Sequence, residues 1–240
     1  MGDVRKLQEE IFDDFTNKKI KFLAKKSKIR FHCQRSGQCC HHNQVMLNPF
    51  DIMEMARFLA MPSSAFLQQY VSFHIGADSH LPIAMLEQIQ DGDCAFLKDR
   101  RCSIHPAKPK ICRAFPLVAA SVFDQKTGKA QYGYLQTERV SCPGTRANHT
   151  VTFEQFRKQS GLKRYDEGSR PFVEGVQELC ANYRTGDLTE TDYQFIIPLL
   201  YCPDSVLKRK DGDQPADSGD WTRIGMKLVI EYLKSRGLHK

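Results

Sequence analysis

No stretch of the 240-residue sequence approaches the roughly 18 consecutive apolar residues that a membrane-spanning helix needs. The opening MGDVRKLQEEIFDDF lacks the apolar core of a secretory leader and carries acids in an amphipathic pattern instead. Lys6 stands where the myristoylation pattern wants Ser or Thr, which argues against a lipid anchor. The expected location is therefore the cytoplasm, where a reducing thiol pool disfavours structural disulfides. There is no internal repeat and no low-complexity tract, and only one tryptophan, Trp221. Acidic residues are missing from 18–30 (KKIKFLAKKSKIR), which holds seven basic groups, so the formal charge of +7 sits there and the remainder sums to zero. At 41% hydrophobic and 26% charged, the chain can bury a core and is neither disordered nor fibrous.

Cysteine is what the sequence has in excess. Nine cysteines cannot all pair within one chain. No Cys-x-x-Cys pair exists, which weighs against a thiol–disulfide relay. Seven of them, Cys33, Cys39, Cys40, Cys94, Cys102, Cys112 and Cys142, fall in turn-like or hairpin contexts where backbone can wrap a metal. Thiolates at this density suit Zn²⁺ or an iron–sulfur cluster, whereas Mg²⁺ and Ca²⁺ want oxygen. The competing reading is a set of small buried hydrophobes. Cys39 and Cys40 are adjacent, and adjacent side chains diverge in an extended chain, so the two can serve different centres. Cys180 and Cys202 lie in or at the end of apolar helical patterns and read as core.

The expected fold class is α+β: an irregular, cysteine-rich metal-binding core with short β-hairpins, packed with N- and C-terminal helices. Apolar residues at Val4, Leu7, Ile11, Phe12 and Phe15 have helical period, and the basic window continues from them with Ile20, Phe22 and Leu23 on a narrow apolar side. Asn48-Pro49-Phe50-Asp51 is a helix start, predicting a helix to about Ala60, with another from Pro62-Ser63. Residues 91–105 predict a short hairpin turning at Lys98-Asp99-Arg100, and 117–123 with 131–140 predict a longer one. Thr152 is placed to cap a helix through Gln159, and further helices fit 171–184, 189–201 and 218–236, the last closed by Gly237. The stretch 203–219 reads as a surface loop. Three regions follow: a basic amphipathic helical arm over 1–30, a cysteine-cluster domain over 31–144 and a helical lobe over 145–240.

The string Phe31-x-Cys33-x-x-Ser36-Gly37-x-Cys39-Cys40 resembles the Cys-x-x-Cys-x-x-Cys-Cys opening of the zinc- or iron-chelating cysteine-cluster family. Cys94-Ala-Phe96-Leu97, Cys102-Ser-Ile104-His105-Pro106, Lys108-Pro109 and Cys112-Arg113-x-Phe115-Pro116 follow the family's second block in order, and Cys142-Pro143-Gly144 resembles its closing element. Flagellin lysine N-methylases are relatives within that family, and for them the resemblance implies an iron–sulfur cluster. Ser36 occupies the second cysteine position, where a neutral hydroxyl is a poor ligand for a soft metal. Seven motif cysteines still suffice for one four-thiolate centre, and a second centre would have to recruit His41, His42, His105 or water. Lys108 replaces the family's arginine, keeping the charge and losing the planar fork.

The residues around the cysteines are weighed on their chemistry. His41 and His42 are candidate ligands or ligand-orienting donors, against an ordinary polar loop pair. His105 and Arg113 are candidate cofactor-binding residues: an anionic four-thiolate cluster favours a fixed cation and its N–H donors nearby. Their structural alternatives are a packed hairpin histidine and a surface ion pair. Phe96, Phe115 and Pro116 read as walls, and Trp221 as the anchor of the last helix. The basic window 18–30 offers a surface to an acidic protein or client; nucleic acid is not the expected partner, because aromatics are sparse there and no binding motif accompanies it.

The function these readings favour is metal chelation through clustered thiolates, with a 4Fe–4S cluster preferred over zinc mainly through the resemblance. One alternative is an S-adenosylmethionine-dependent protein lysine N-methyltransferase like the flagellin N-methylases. Against it, the sequence has neither a glycine-rich dinucleotide loop nor the radical three-cysteine spacing. The other is a metal-handling or insertion factor that passes ions to a client.

Overall fold

The computed structural model describes residues 10–11, 13–17, 21–41, 43–77, 79–89, 92–124, 129–137, 140, 142–207 and 217–240. Short antiparallel sheets and longer helices make it an α+β protein. It divides into two compact units whose sequences interleave: residues 1–39 with 111–162, and residues 40–110 with 163–240. No described helix is long and apolar enough to cross a membrane.

In the first unit, β1 (Lys28–Arg30) pairs antiparallel with β9 (Thr150–Thr152), and β7 (Val118–Asp124) with β8 (Lys129–Leu135). The predicted long hairpin is thus present; its Lys-Thr-Gly turn lies outside the described residues. Thr152 caps α4 (Phe153–Gln159) as its sequence position predicts, with Gln155 completing the capping box. One core holds these pieces: Ile29, Ala114, Leu117, Tyr134, Val151, Phe153, Phe156 and Leu162 are all buried, with Leu23 and Phe31 packed against them.

Here the basic arm differs from expectation. Residues 10–11 and 13–16 are helical, but 21–27 are irregular and 28–30 form a strand. The strand wins because Ile29 is fully buried between exposed Lys28 and Arg30, a period of two that the pairing with β9 rewards. Arg30 then fastens the strand's end, donating from Nε to the Ala147 carbonyl at 2.9 Å and from Nη2 to the Arg146 carbonyl at 3.2 Å.

The second unit is built on α1 (Pro49–Phe58), which buries eight of its ten residues. Asn48 and Asp51 form the capping box that starts it: the Asn48 side chain accepts from the Asp51 N–H at 3.1 Å, and the Asp51 carboxylate accepts from the Asn48 N–H at 3.2 Å. Around it lie α2 (Ser63–Tyr70), α5 (Leu162–Asn182, counted here from Lys163), α6 (Glu190–Tyr201), α7 (Pro203–Val206) and α8 (Ser218–Ser235). Glu54 binds α1 to two of them, accepting from Arg164 of α5 at 2.6 Å and from the Ser218 hydroxyl of α8 at 2.8 Å. A three-stranded antiparallel sheet, absent from the sequence reading, has β4 (Pro82–Leu86) between β2 (Met46–Leu47) and β3 (Val71–Ile75). The Tyr201 hydroxyl donates to the Pro82 carbonyl at 2.7 Å and secures α6 to that sheet.

Two further boundaries depart from expectation. The 171–184 helix starts nine residues earlier and runs through Pro171. Proline there removes one internal hydrogen bond, a loss that the burial of Tyr165, Ser169 and Leu179 along the same helix offsets. Part of the 203–219 loop is helical, as α7, while 208–216 lies outside the described residues. The last helix ends as its glycine predicts: Gly237 has φ 67°, its N–H donates to the Lys234 carbonyl and the Leu238 N–H to the Leu233 carbonyl, a Schellman stop. Trp221 is buried in the first turn of α8.

The predicted short hairpin is β5 (Leu97–Lys98) and β6 (Arg101–Cys102), joined by Asp99 and Arg100, with φ 47° and 61°. Two consecutive left-handed residues are the type I′ requirement, which favours Gly at the second. Arg100→Gly is expected to raise stability by about 0.5–1 kcal/mol, read as a higher denaturation midpoint.

Asp192 is fully buried in the second unit and is the chief ion-pair node of its C-terminal helices. Its carboxylate accepts from Arg236 Nε at 2.8 Å, from Tyr232 Oη at 2.8 Å and from the Thr189 N–H at 2.8 Å. The Arg236 contact above all, with the Thr189 and Tyr232 bonds, holds its pKa well below the usual carboxylate range despite burial. A lowered folded-state pKa contributes stability that is complete above the unfolded value of about 3.9 and is lost as pH falls through the folded one. Asp192→Asn is expected to lower the neutral-pH melting temperature, by about 1 kcal/mol or more in stability, because its hydrogen bonds lose the carboxylate charge. The variant's stability profile below about pH 4 should also be flatter than that of the parent, measured by thermal melts across pH.

Candidate metal centre

The seven motif cysteines divide between the two units at the bond joining Cys39 to Cys40. Cys33, Cys39, Cys112 and Cys142 fall in the first unit, Cys40, Cys94 and Cys102 in the second. None of the nine cysteines forms a disulfide.

In the first unit the cysteine-bearing segments are fastened to one another by main chain. Just beyond β1, the Phe31 N–H donates to the His149 carbonyl at 3.1 Å and the His32 N–H to the Gly144 carbonyl at 3.0 Å, so the irregular segment leading to Cys33 runs against the turn carrying Cys142. A Cβ on Gly144 would lie 2.6 Å from the His32 carbonyl oxygen and 2.8 Å from the Phe31 ring, which is why the closing Cys-Pro-Gly needs its glycine. Thr145 tightens that turn, its hydroxyl accepting from the Cys142 N–H at 3.2 Å and donating to the Cys142 carbonyl at 2.8 Å. Cys142 is buried, Cys33 is exposed, and Cys39 and Cys112 are half-buried.

Cys112 lies in α3 (Lys110–Ala114), two residues before the core residue Ala114. Its neighbour Arg113 is buried and donates from Nη1 to the Ser160 carbonyl at 2.9 Å. Its guanidinium is therefore held inside the unit rather than at the surface. Ser36, in the loop between Cys33 and Cys39, accepts from the Gln38 N–H at 3.5 Å, and Arg35 and Gly37 beside it both have positive φ.

In the second unit, residues 40–41 lie antiparallel to 93–94. His41 is the bridge partner of Asp93, and the Cys94 N–H donates to the Cys40 carbonyl at 2.8 Å. The Cys94 carbonyl in turn accepts from the Leu97 N–H at 2.9 Å, and Leu97 pairs with Cys102 across the β5–β6 hairpin. Cys40, Cys94 and Cys102 are half-buried. His105 opens the short 3-10 turn that follows, and Phe96 is buried against Tyr70 and Phe66. His42 lies outside the described residues.

The remaining two thiols behave differently. Cys202 is buried, and burial, with Asp204 nearby, pushes its pKa up to about 11. Burial also raises the pKa of Cys180. Cys180, expected in the core, is only half-buried.

The donor chemistry fits zinc or an iron–sulfur cluster: soft thiols, unoxidised, on loops fastened by backbone bonds. Among the described residues, no three His, Cys, Asp or Glu side chains already converge as a metal-holding group. Ligation thus requires side-chain adjustment about a backbone frame. An open groove elsewhere, about 470 Å³ between α5 and α8, is lined by Glu167, Arg170, Glu174, Arg223 and Lys227 among others and by no cysteine.

Comparison with known proteins agrees with this donor set. Residues 32–143 match the family described as CxxCxxCC, "putative zinc- or iron-chelating domain". An uncharacterized protein of Methanocaldococcus jannaschii is 35% identical over 102 residues, 42% of this chain and 52% of that protein. The chain thus spans about half the length of the curated relative it matches. No solved structure matches.

Gly144→Ala is expected to part the segment leading to Cys33 from the turn carrying Cys142, because one of the intruded atoms is backbone. The cost should be roughly 1–3 kcal/mol, measured by chemical denaturation, with metal content falling alongside.

Proposed function

We propose that the cysteine-cluster domain over residues 31–144 chelates iron as a 4Fe–4S cluster through Cys33, Cys39, Cys112 and Cys142. The observation that carries this reading is that these four thiols, and no other motif cysteine, belong to one compact unit. Three of them lie on segments fastened to its core or to one another by main chain. The buried Arg113 guanidinium adjoining Cys112 supports an anionic occupant, since a four-thiolate cluster carries net negative charge. When bound, the cluster would supply electron transfer or structural cross-linking. The chain's own residues would hold it and balance its charge. Zinc is the alternative occupant of the same thiolates.

Other parts of the proposal follow from this chemistry. Thiolate ligands must stay reduced, which suits the cytoplasm. The basic segment 18–30, in which Lys21, Lys25, Lys26 and Lys28 are exposed, would receive an acidic protein or client, as a metal-handling factor would need. Methylation of a protein lysine with S-adenosylmethionine rests on the family resemblance alone, and calorimetry with that cofactor on the metal-loaded protein tests it.

Anaerobic purification with iron, sulfide and zinc analysis is the decisive measurement. Brown protein with equal iron and acid-labile sulfide is the expected result. Cys39→Ala and Cys112→Ala should abolish the colour and lower stability, since site formation and folding are coupled, whereas Cys180→Ala should leave metal content unchanged. Colourless protein holding only zinc would replace the cluster by a zinc site, and protein without metal would end the chelation reading.

A further inference from the structure

We propose that His41 is a nitrogen ligand of a second metal centre, of Cys3His type, completed by Cys40, Cys94 and Cys102, and that Asp93 is the residue that positions it. The proposal rests on the chelation reading above and adds a separate site in the second unit.

The second unit keeps three motif cysteines, one donor short of the four-coordinate shell that zinc-class ions adopt. Two backbone hydrogen bonds and one strand pairing link their segments. The Cys94 N–H is bonded to the Cys40 carbonyl, the Leu97 N–H to the Cys94 carbonyl, and Leu97 faces Cys102 across its hairpin. The pairing that sets Cys40 against Cys94 also sets His41 against Asp93.

Between those two side chains, His41 Nδ1 lies 2.5 Å from Asp93 Oδ1. In the tautomer where the carboxylate accepts, Nδ1 is the donor of this contact. In the neutral ring that leaves Nε2 bare, with its lone pair available to a metal. Metal-bound histidines commonly show this arrangement, one ring nitrogen on the ion and the other on a carboxylate that fixes tautomer and ring orientation. His41 and Asp93 are each partly exposed, 39% and 28%, so an ion can reach the ring. The thiols and the ring do not yet form a closed group, so binding draws Cys40, Cys94, Cys102 and His41 onto the ion and orders the loop that carries them.

The test uses the full chain, stripped of metal and reloaded with zinc, and reads both affinity by competition with a chromophoric chelator and imidazole scattering by zinc X-ray absorption. The parent should show sulfur ligation with an imidazole contribution. His41→Gln should remove that contribution and weaken the corresponding zinc by about 10–100-fold, and Asp93→Ala should weaken it by about tenfold with partial recovery in Asp93→Asn, which keeps an acceptor oxygen. His74→Gln, on the exposed part of β3, should change neither readout. Zinc binding with unaltered affinity and imidazole scattering in His41→Gln would overturn this proposal and leave chelation intact. A parent chain that takes up no metal would overturn both.

Discussion

The contact on which the first unit depends is the approach of the His32 backbone to Gly144. It needs a residue with no side chain, because a Cβ there would lie 2.6 Å from the His32 carbonyl oxygen and 2.8 Å from the Phe31 ring. From that contact follow the His32 to Gly144 and Phe31 to His149 hydrogen bonds, and the seating of Phe31 on a core containing Ile29, Val151 and Phe156. A small core of this kind has little to spare for long loops. It succeeds because the cysteines sit within a few residues of the points where the chain is fastened, with Cys33 two residues beyond Phe31, Cys112 two before Ala114, and Cys142 two before Gly144.

The second constraint is the peptide bond between Cys39 and Cys40. Two neighbouring thiols in one short turn could serve one ion, yet this bond is where the chain passes from one compact unit to the other. A thiolate bound to soft metal is deprotonated and strongly directional in its coordination, so its backbone must be held from the correct side. Cys40 is held by its bond from Cys94, and the Cys33 and Cys142 segments by theirs to each other. Under the proposed chelation, bound metal would complete what the backbone prepares, which would tie the local order of these loops to metal loading.

Much of the fold was legible where a local rule acts alone. Asn48 with Asp51, Thr152 with Gln155, and Gly237 mark helix ends because capping depends on a few neighbouring residues. The β5–β6 hairpin was visible for the same reason. What escaped were elements whose stability comes from distant partners. β3 follows α2 at Tyr70-Val71 with neither glycine nor proline between them, so helical period runs into the strand unmarked. β1 hides in a basic window whose few apolar residues also fit a helix; only Val151 opposite Ile29 selects the strand. The helix through Pro171 defies the usual proline rule because buried residues on both sides of it hold the helix together.

At the candidate site the division is sharper. The sequence by itself determined the donor chemistry: seven clustered thiols, Ser36 at a position where the resembled family carries an eighth, and a core thiol at Cys202, whereas Cys180, read as core too, is half-buried. Ligand preference is a property of the sulfur atom and needs no fold to be read. The partition of those thiols between two units, the burial of Arg113 and the pairing of His41 with Asp93 were decided only by tertiary structure. Each depends on residues some tens of positions apart, from Asp93 against His41 to Ser160 against Arg113. Such contacts are fixed by the burial and strand pairing of intervening segments, which no local pattern encodes.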